Sequence, residues 1–295
     1  MTSLTPTTPL WMAARASLLY RGKEMFSCWK QVVQQFDLDD IHDLRVASRR
    51  LREALRLYAP CYPKKSISRL NSRLKQLTGM LGAIRNTDEA LLFLAKLPPT
   101  LPSPAVRGVQ SLTGLLQQAR SDEETQLRNA LQQLDQAALR RRFEKACNRP
   151  AIFAMSPHDP FMNVAEFLRD TLHEREASLL RFAEEATSEA NIIAQHRLRI
   201  AIKHFRYRLE LAALFSQDLL NGVIGVAKGY QELLGTMHDL DVFATMISER
   251  VATPDASAPL IAHIADRRHH LFETFAAKLA AYPLAKLATD ARSIL

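Results

Sequence analysis

Two short segments concentrate the side chains able to hold an anion. Residues 41–60 read IHDLRVASRRLREALRLYAP and carry His42, Arg45, Arg49, Arg50, Arg52 and Arg56. Residues 195–214 read QHRLRIAIKHFRYRLELAAL and carry His196, Arg199, Lys203 and Arg206. Spacings of three and four put side chains on one face of a helix. At about 100° per residue, His42, Arg45, Arg49, Arg52 and Arg56 fall within roughly 80° of arc, with Arg50 at the edge. Leu44, Ala47, Leu51, Leu55 and Tyr58 take the opposite side, which reads as the core face. The second segment keeps the same phases, with Glu210 in place of Arg56.

A solvated helix ordinarily mixes charge signs at i, i+4. A run of like charges instead costs a few tenths of a kcal/mol per pair. An anion relieves that cost. The planar fork of Arg suits phosphate, and a neighbouring His adds a hydrogen bond in either protonation state. The competing reading is a set of ion pairs with acids on adjacent helices, such as Glu24, Asp88 or Asp241. Other cations extend the candidate surface: Lys65, Arg69 and Arg73 at i, i+4, i+8, and Lys75, which aligns with Lys228. Arg140-Arg141-Arg142-Lys145 and Arg267-Arg268-His269-His270 are equally compatible with solvated faces or helix C-termini.

The two segments align at an offset of 154. His42/His196, Leu44/Leu198, Arg45/Arg199, Ala47/Ala201, Arg52/Arg206, Leu55/Leu209 and Leu57/Leu211 are identical. Arg49/Lys203 is similar in kind. Farther on, Leu81-Gly82-Ala83-Ile84-Arg85-Asn86-Thr87-Asp88 aligns with Leu234-Gly235-Thr236-Met237-His238-Asp239-Leu240-Asp241 at an offset of 153. The order of matches is the same in both halves, which marks an internal duplication.

The elements that must position these residues are helices. Apolar residues recur at helical spacing, strand alternation is weak, and Pro and Gly punctuate the chain. Pro60 and Pro63 close one helix, and residues 98–104 break another. The fold class expected is all-α: a tandem duplication of a four-helix bundle with pseudo-twofold symmetry. The expected layout is a flexible terminus over 1–9, a first half over 10–147, a linker over 148–160 and a second half over 161–291. Each half reads as a helix before the His-Arg segment, the His-Arg helix, a helix running into a Leu-Gly turn, and one further helix. That last helix covers much of Ala105–Ala146 in the first half and Leu260–Ala281 in the second. Asp88 and Asp241 are expected to cap a helix or orient an arginine.

The 295 residues carry 39 Lys plus Arg against 31 acids, a formal charge of +8, with 47% hydrophobic residues. Such a chain can build a core, and its charge favours an anionic partner. Three scattered cysteines form neither a disulfide framework nor a zinc pattern and fit a reducing cytoplasm. No apolar run approaches the roughly 18 residues of a membrane helix, and no signal peptide is evident. No Walker loop, nucleophile elbow or His metal pair appears, so no cofactor and no enzyme activity are expected. Nucleic acid is disfavoured because the stripes lack interleaved aromatics for base stacking. A polyphosphate-processing enzyme, in which His42 or His196 accepts a phosphoryl group, and a scaffold gripping an acidic protein are the other rivals.

The segment His42-Asp43-Leu44-Arg45-Val46-Ala47-Ser48-Arg49-Arg50-Leu51-Arg52 resembles the signature of the CHAD family, the conserved histidine α-helical domains. His196 to Tyr207 resembles its second signature, and the two Leu-Gly segments resemble its Leu-Gly-x-x-(Arg/His)-Asp-x-Asp element. The chain departs from the pattern at His204, Asn86 and Glu210. The resemblance implies paired four-helix bundles, a basic groove or pore lined by the signature helices, binding of inorganic polyphosphate and association with polyphosphate granules. It transfers a binding role to His42, Arg45, Arg49, Arg50 and Arg52, and to His196, Arg199, Lys203 and Arg206.

Overall fold

A computed structural model describes residues 4–152, 158–216 and 218–295. Among them the chain forms ten α-helices: α1 (Leu10–Gln34), α2 (Leu38–Leu57), α3 (Lys64–Ala95), α4 (Ser103–Gln133), α5 (Gln136–Cys147), α6 (Val164–Glu185), α7 (Ile192–Ala212), α8 (Asn221–Arg250), α9 (Pro254–Ala281) and α10 (Leu284–Ile294). A single 3-10 turn, Ala59–Cys61, bends the chain between α2 and α3.

The two signature helices start alike. Asp37 accepts a hydrogen bond from the Asp40 amide at 2.7 Å, and Asn191 accepts one from the Ala194 amide at 3.1 Å. Asp37 and Asn191 are themselves 154 apart. Each satisfies an amide that an unfinished helix leaves bare. The expected core face of α2 is buried throughout: Leu44, Leu51, Leu55 and Tyr58 are fully inside. Burial of each large side chain contributes about 1.5–3 kcal/mol and fixes which face of α2 looks outward.

Matching helices run in parallel series. The packing chain α1–α2–α3–α4 is repeated as α6–α7–α8–α9. The short helix α5 lies on α1 and α3, as α10 lies on α6 and α8. Every substantial contact between the halves joins equivalent helices: α1 to α6, α2 to α7 and α4 to α9. Self-matching contacts of this kind are what a twofold axis produces. The halves are not separate bodies, because both apolar cores draw on both of them. The larger core unites α1, α2, α6 and α7 with parts of their neighbours. The smaller joins Phe93, Leu112 and Leu116 to Phe243, Ile247 and Leu260. Within it the Phe93 and Phe243 rings stack at 4.6 Å.

Several elements differ from the sequence reading. The single helix expected over Ala105–Ala146 is two, since the chain turns at Leu134 and Asp135 recaps it by accepting from the Ala138 amide at 2.8 Å. The helix expected at Leu260 starts six residues earlier, on a Pro at its first position, where a missing amide costs nothing. The Leu-Gly segments are not turns: Gly82 lies inside α3 and Gly235 inside α8. The terminus expected to be free is tied down over its described residues, with the Ala165 amide donating to the Pro6 carbonyl and the Val164 amide to the Thr8 carbonyl. Within the expected linker, residues 153–157, including Pro157, lie outside the described residues.

Candidate anion-binding seam

Because α2 and α7 touch across the pseudo-twofold, their outward faces meet in one seam. Arg45 and Arg49 come from α2, and Arg199 and Lys203 from α7. The charge of Arg49 acts on Arg45, Arg199 and Lys203. Arg85, from α3, acts on both Arg45 and His42. Five cations from three helices therefore share one field, with Arg85 also paired to Glu89 one turn along α3. Arg85 escaped selection from the sequence, although the repeat alignment had already paired it with His238.

The cluster is electrostatically strained. Arg45 is pushed below its ordinary value by burial, then by Arg49 and Arg85, with Tyr207 and Asp239 opposing. Arg199 is lowered by burial and by Arg49 against the pull of Asp239. Lys203 is pushed down to about 8 by burial, and then by Arg49 and Arg199. Among the described residues the buried Nε donors of Arg45, Arg52 and Arg199 have no partner, and those of Arg45 and Arg199 are equivalent by the repeat. A buried donor left unmade costs about 1–3 kcal/mol, so each is a place where a ligand oxygen would be stabilising. Arg45 lies against α3 at Gly82, where a Cβ would stand in ordinary contact, 3.9 Å from the Arg45 Nε.

The histidines flank the cations. His196 and His238 meet Nδ1 to Nδ1 at 3.2 Å, a geometry in which one ring donates and the other accepts, so at most one of them is charged. His238 is lowered to about 4 by burial, and then by Arg199 and His196. His196 is lowered by burial, then by Arg199 and Lys203. His42 is lowered by its crowded setting and by Arg85. Asp239 is the one acid reaching into the field of Arg199 and Arg45. Its surroundings raise its carboxyl despite those charges.

Not every predicted residue joins the seam's free charge. Arg50 pairs with Glu210 at 3.0 Å, and Arg206 pairs with the same Glu210 and with Gln231 at 2.9 Å. Arg206 is buried, so its guanidinium is spent on protein partners. Across the axis His204 meets Glu53 at 3.2 Å, and Arg56 meets Glu53 at 3.5 Å. Burial alone would raise Glu53, but its bond with His204 and the nearby positive charges hold it below the usual carboxylate range. Arg50 and His204 are 154 apart. Each reaches over to a partly or wholly buried acid of the opposite helix, so two crossed contacts join α2 to α7: the Arg50–Glu210 ion pair and the His204–Glu53 contact. This accounts for Arg50, for His204 and for Glu210.

Arg52 lies beside Arg49 and Arg56 with an unpaired buried Nε and continues the α2 stripe. The Tyr207 ring lies under two guanidiniums, Arg49 at 5.7 Å and Arg206 at 4.9 Å from its centroid, and so helps hold Arg49 in place. Lys75 and Lys228 stand exposed, each ten residues, roughly 15 Å, along the helix from Arg85 and His238. Lys228 pairs with Glu232 at 3.6 Å. Arg73 belongs to a different cleft, between α3 and α5. Asp88 and Asp241 do orient arginines, but ones on α4 and α9, and Asp88 also feels the charge of Arg85. Asp88 pairs with Arg120 of α4 at 3.2 Å, and Asp241 with Arg268 of α9 at 2.5 Å.

Among the described residues no group of three or more His, Cys, Asp or Glu is placed to hold a metal ion, and no helix is long and apolar enough to cross a membrane. The fold matches two solved structures. A CHAD domain from the plant Ricinus communis aligns at a TM-score of 0.63 and 23% identity, covering 99% of this chain and 93% of that one. PptA from Streptomyces chartreusis aligns at a TM-score of 0.68 and 15% identity, covering 93% and 99%. No curated protein matches the sequence significantly. The CHAD domain family model matches residues 18–248, spanning α1 to α8 and both signature helices, and the chain therefore belongs to the CHAD domain family.

Proposed function

We propose that this protein binds inorganic polyphosphate along the α2–α7 seam, as a binding module and not as a catalyst, and that this binding places it on polyphosphate granules in the cytoplasm. The observation that carries the reading is the equivalent pair of buried, unpartnered Nε donors on Arg45 and Arg199, set among Arg49, Arg85 and Lys203. A repeating anion supplies oxygens to both halves of a twofold site at once. Arg52 and Arg56 extend the path along α2, while His42, His196 and His238 contribute hydrogen bonds at its edges. Arg50 and Arg206 act as positioning residues through Glu210.

Among the described residues the seam shows no nucleophile beside a partnered base, which supports binding without turnover. Binding that neutralises several phosphates releases counterions, so affinity must fall steeply with salt. Titration of long-chain polyphosphate from about 50 to 300 mM salt should show a fall of tenfold or more. A flat response would contradict the seam model. Release of orthophosphate from the bound polymer, with or without magnesium, would overturn the non-catalytic reading.

A further inference from the structure

A second basic surface lies apart from the seam. Between α3 and α5 the chain forms a cleft of about 780 Å³, with Arg69 and Arg73 on one wall and Arg142, Lys145 and Arg149 on or beside the other. Five cations line it, and no acid does. All five side chains are exposed, and among the described residues none takes part in an ion pair. Glu144, the acid nearest on α5, is held by Arg140 at 2.8 Å and does not line the cleft.

The repeat shows that the fold does not require these charges. At an offset of 153 the counterparts of Arg69 and Arg73 are Gly222 and Val226. The matching helix α10 packs on α6 and α8 as α5 packs on α1 and α3, yet that side of the molecule has no such pair. One half thus carries a concentration of positive charge that its twin does without. Its self-repulsion is unrelieved by any protein group.

We propose that the α3–α5 cleft is a second anion site, specific to the first half, that takes a run of phosphates. Arg69 and Arg73 stand one helical turn apart, roughly 6 Å, and Arg142 to Arg149 spans roughly 10 Å along the chain. Such a two-walled rail fits an extended oligophosphate better than one ion. Four of the five cations are arginines, whose forks bond two phosphate oxygens together. The remaining lining is Pro63, Ser66, Leu70, Ser72, Leu139 and Ala146. It contains no aromatic ring on which a nucleobase could stack, which favours a polymer without bases. The choice of polyphosphate as the natural ligand rests on the reading of the seam; the existence of an anion site does not.

The test is calorimetry with tripolyphosphate, a probe too short to bridge the two places, at fixed ionic strength. It compares the full chain with Arg69→Glu/Arg142→Glu and with Arg45→Ala/Arg199→Ala. The proposal expects two binding events in the unaltered protein and one in each variant. A cleft variant that binds as the unaltered protein does overturns the cleft site. A seam variant that binds as the unaltered protein does, beside a cleft variant that loses an event, overturns the seam reading and leaves the cleft standing. Protection needs no variant: tripolyphosphate should slow phenylglyoxal modification of Arg69, Arg73, Arg142 and Arg149 by at least about fivefold, and unprotected arginines there would defeat the proposal. Single-stranded DNA of equal charge that displaces tripolyphosphate from the seam variant would overturn the choice of a base-free polymer.

Discussion

Lys203 sits where the seam's repulsion is felt most. With its ammonium pushed down to about 8, it is charged at neutral pH but loses its proton well before an ordinary lysine. Bound phosphate favours the charged form, so the complex holds the proton to higher pH than the free protein does. Affinity for polyphosphate should therefore decline as pH rises above about 8. Lys203→Arg, which stays charged, should flatten that alkaline limb, and an unchanged limb in this variant would show that Lys203 does not face the ligand. The histidines act on the other side of neutrality. His238, near 4, and His196, also lowered, are neutral at pH 7 in the free protein. A bound polyanion favours their protonation, so affinity should climb as pH falls from 7 toward 5. His238→Gln should lose most of that climb. Folding responds with the opposite sign. An unfolded His binds a proton near 6.5 while folded His238 resists it, so the contribution is intact above pH 6.5 and is lost as pH falls toward about 4. Thermal melts across that window should show the loss.

At the scale of the helices, two features decide whether the seam is presented at all. Asp241 fixes Arg268, which is buried on α9 and also donates to Gln195 at 2.6 Å. Asp241→Ala would leave a nearly buried guanidinium without its counter-charge, and is expected to cost about 2–4 kcal/mol of stability. Because the pair lies away from the seam, polyphosphate affinity measured below the melting temperature should stay within about twofold. Gly22 is the second feature: a Cβ there would stand 2.2 Å and 2.7 Å from ring carbons of Phe143, which packs α5 onto α1. Gly22→Ala gains about 1 kcal/mol in helix propensity, but the buried ring has little room to move. Overpacking should leave the variant about 1–2 kcal/mol less stable, and a raised melting temperature would refute this contact.

Much of this level was legible in the sequence. The helical spacing of Leu44, Leu51 and Leu55 fixed the buried face of α2, and the repeat located its twin. The Leu-Gly segments misled because Gly was read as a stop. Gly82 and Gly235 interrupt nothing: each lies inside a long helix, α3 or α8, held by its packing on neighbouring helices. The break at Asp135 and the late helix after Pro283 have ordinary signals, an N-capping acid and a leading Pro, which the long apolar periodicity obscured. Arg206 and Arg50 matched the stripe in phase but not in role. Glu210 takes Arg206 from one turn away on the same helix, a pairing open to helical phase, but takes Arg50 across the axis, and phase within one segment carries no information about what the opposite helix supplies.

For the whole molecule, duplication is the organising fact. Two copies share both cores, so neither half presents its signature helix independently, and unfolding should be a single transition by circular dichroism and calorimetry alike. The axis doubles each basic residue at one place: Arg45 with Arg199, Arg49 with Lys203, His42 with His196. Copies have since diverged, with Arg85 facing His238 across the axis and Asn86 facing Asp239. The central claim is that the paired arginines hold polyphosphate. It is tested most directly by calorimetric titration of long-chain polyphosphate into the unaltered protein and into Arg45→Ala/Arg199→Ala, at fixed salt and pH 7, with circular dichroism to establish folding. The account predicts a folded variant that binds at least about tenfold more weakly, roughly 1.4 kcal/mol. A folded variant with undiminished affinity would contradict it.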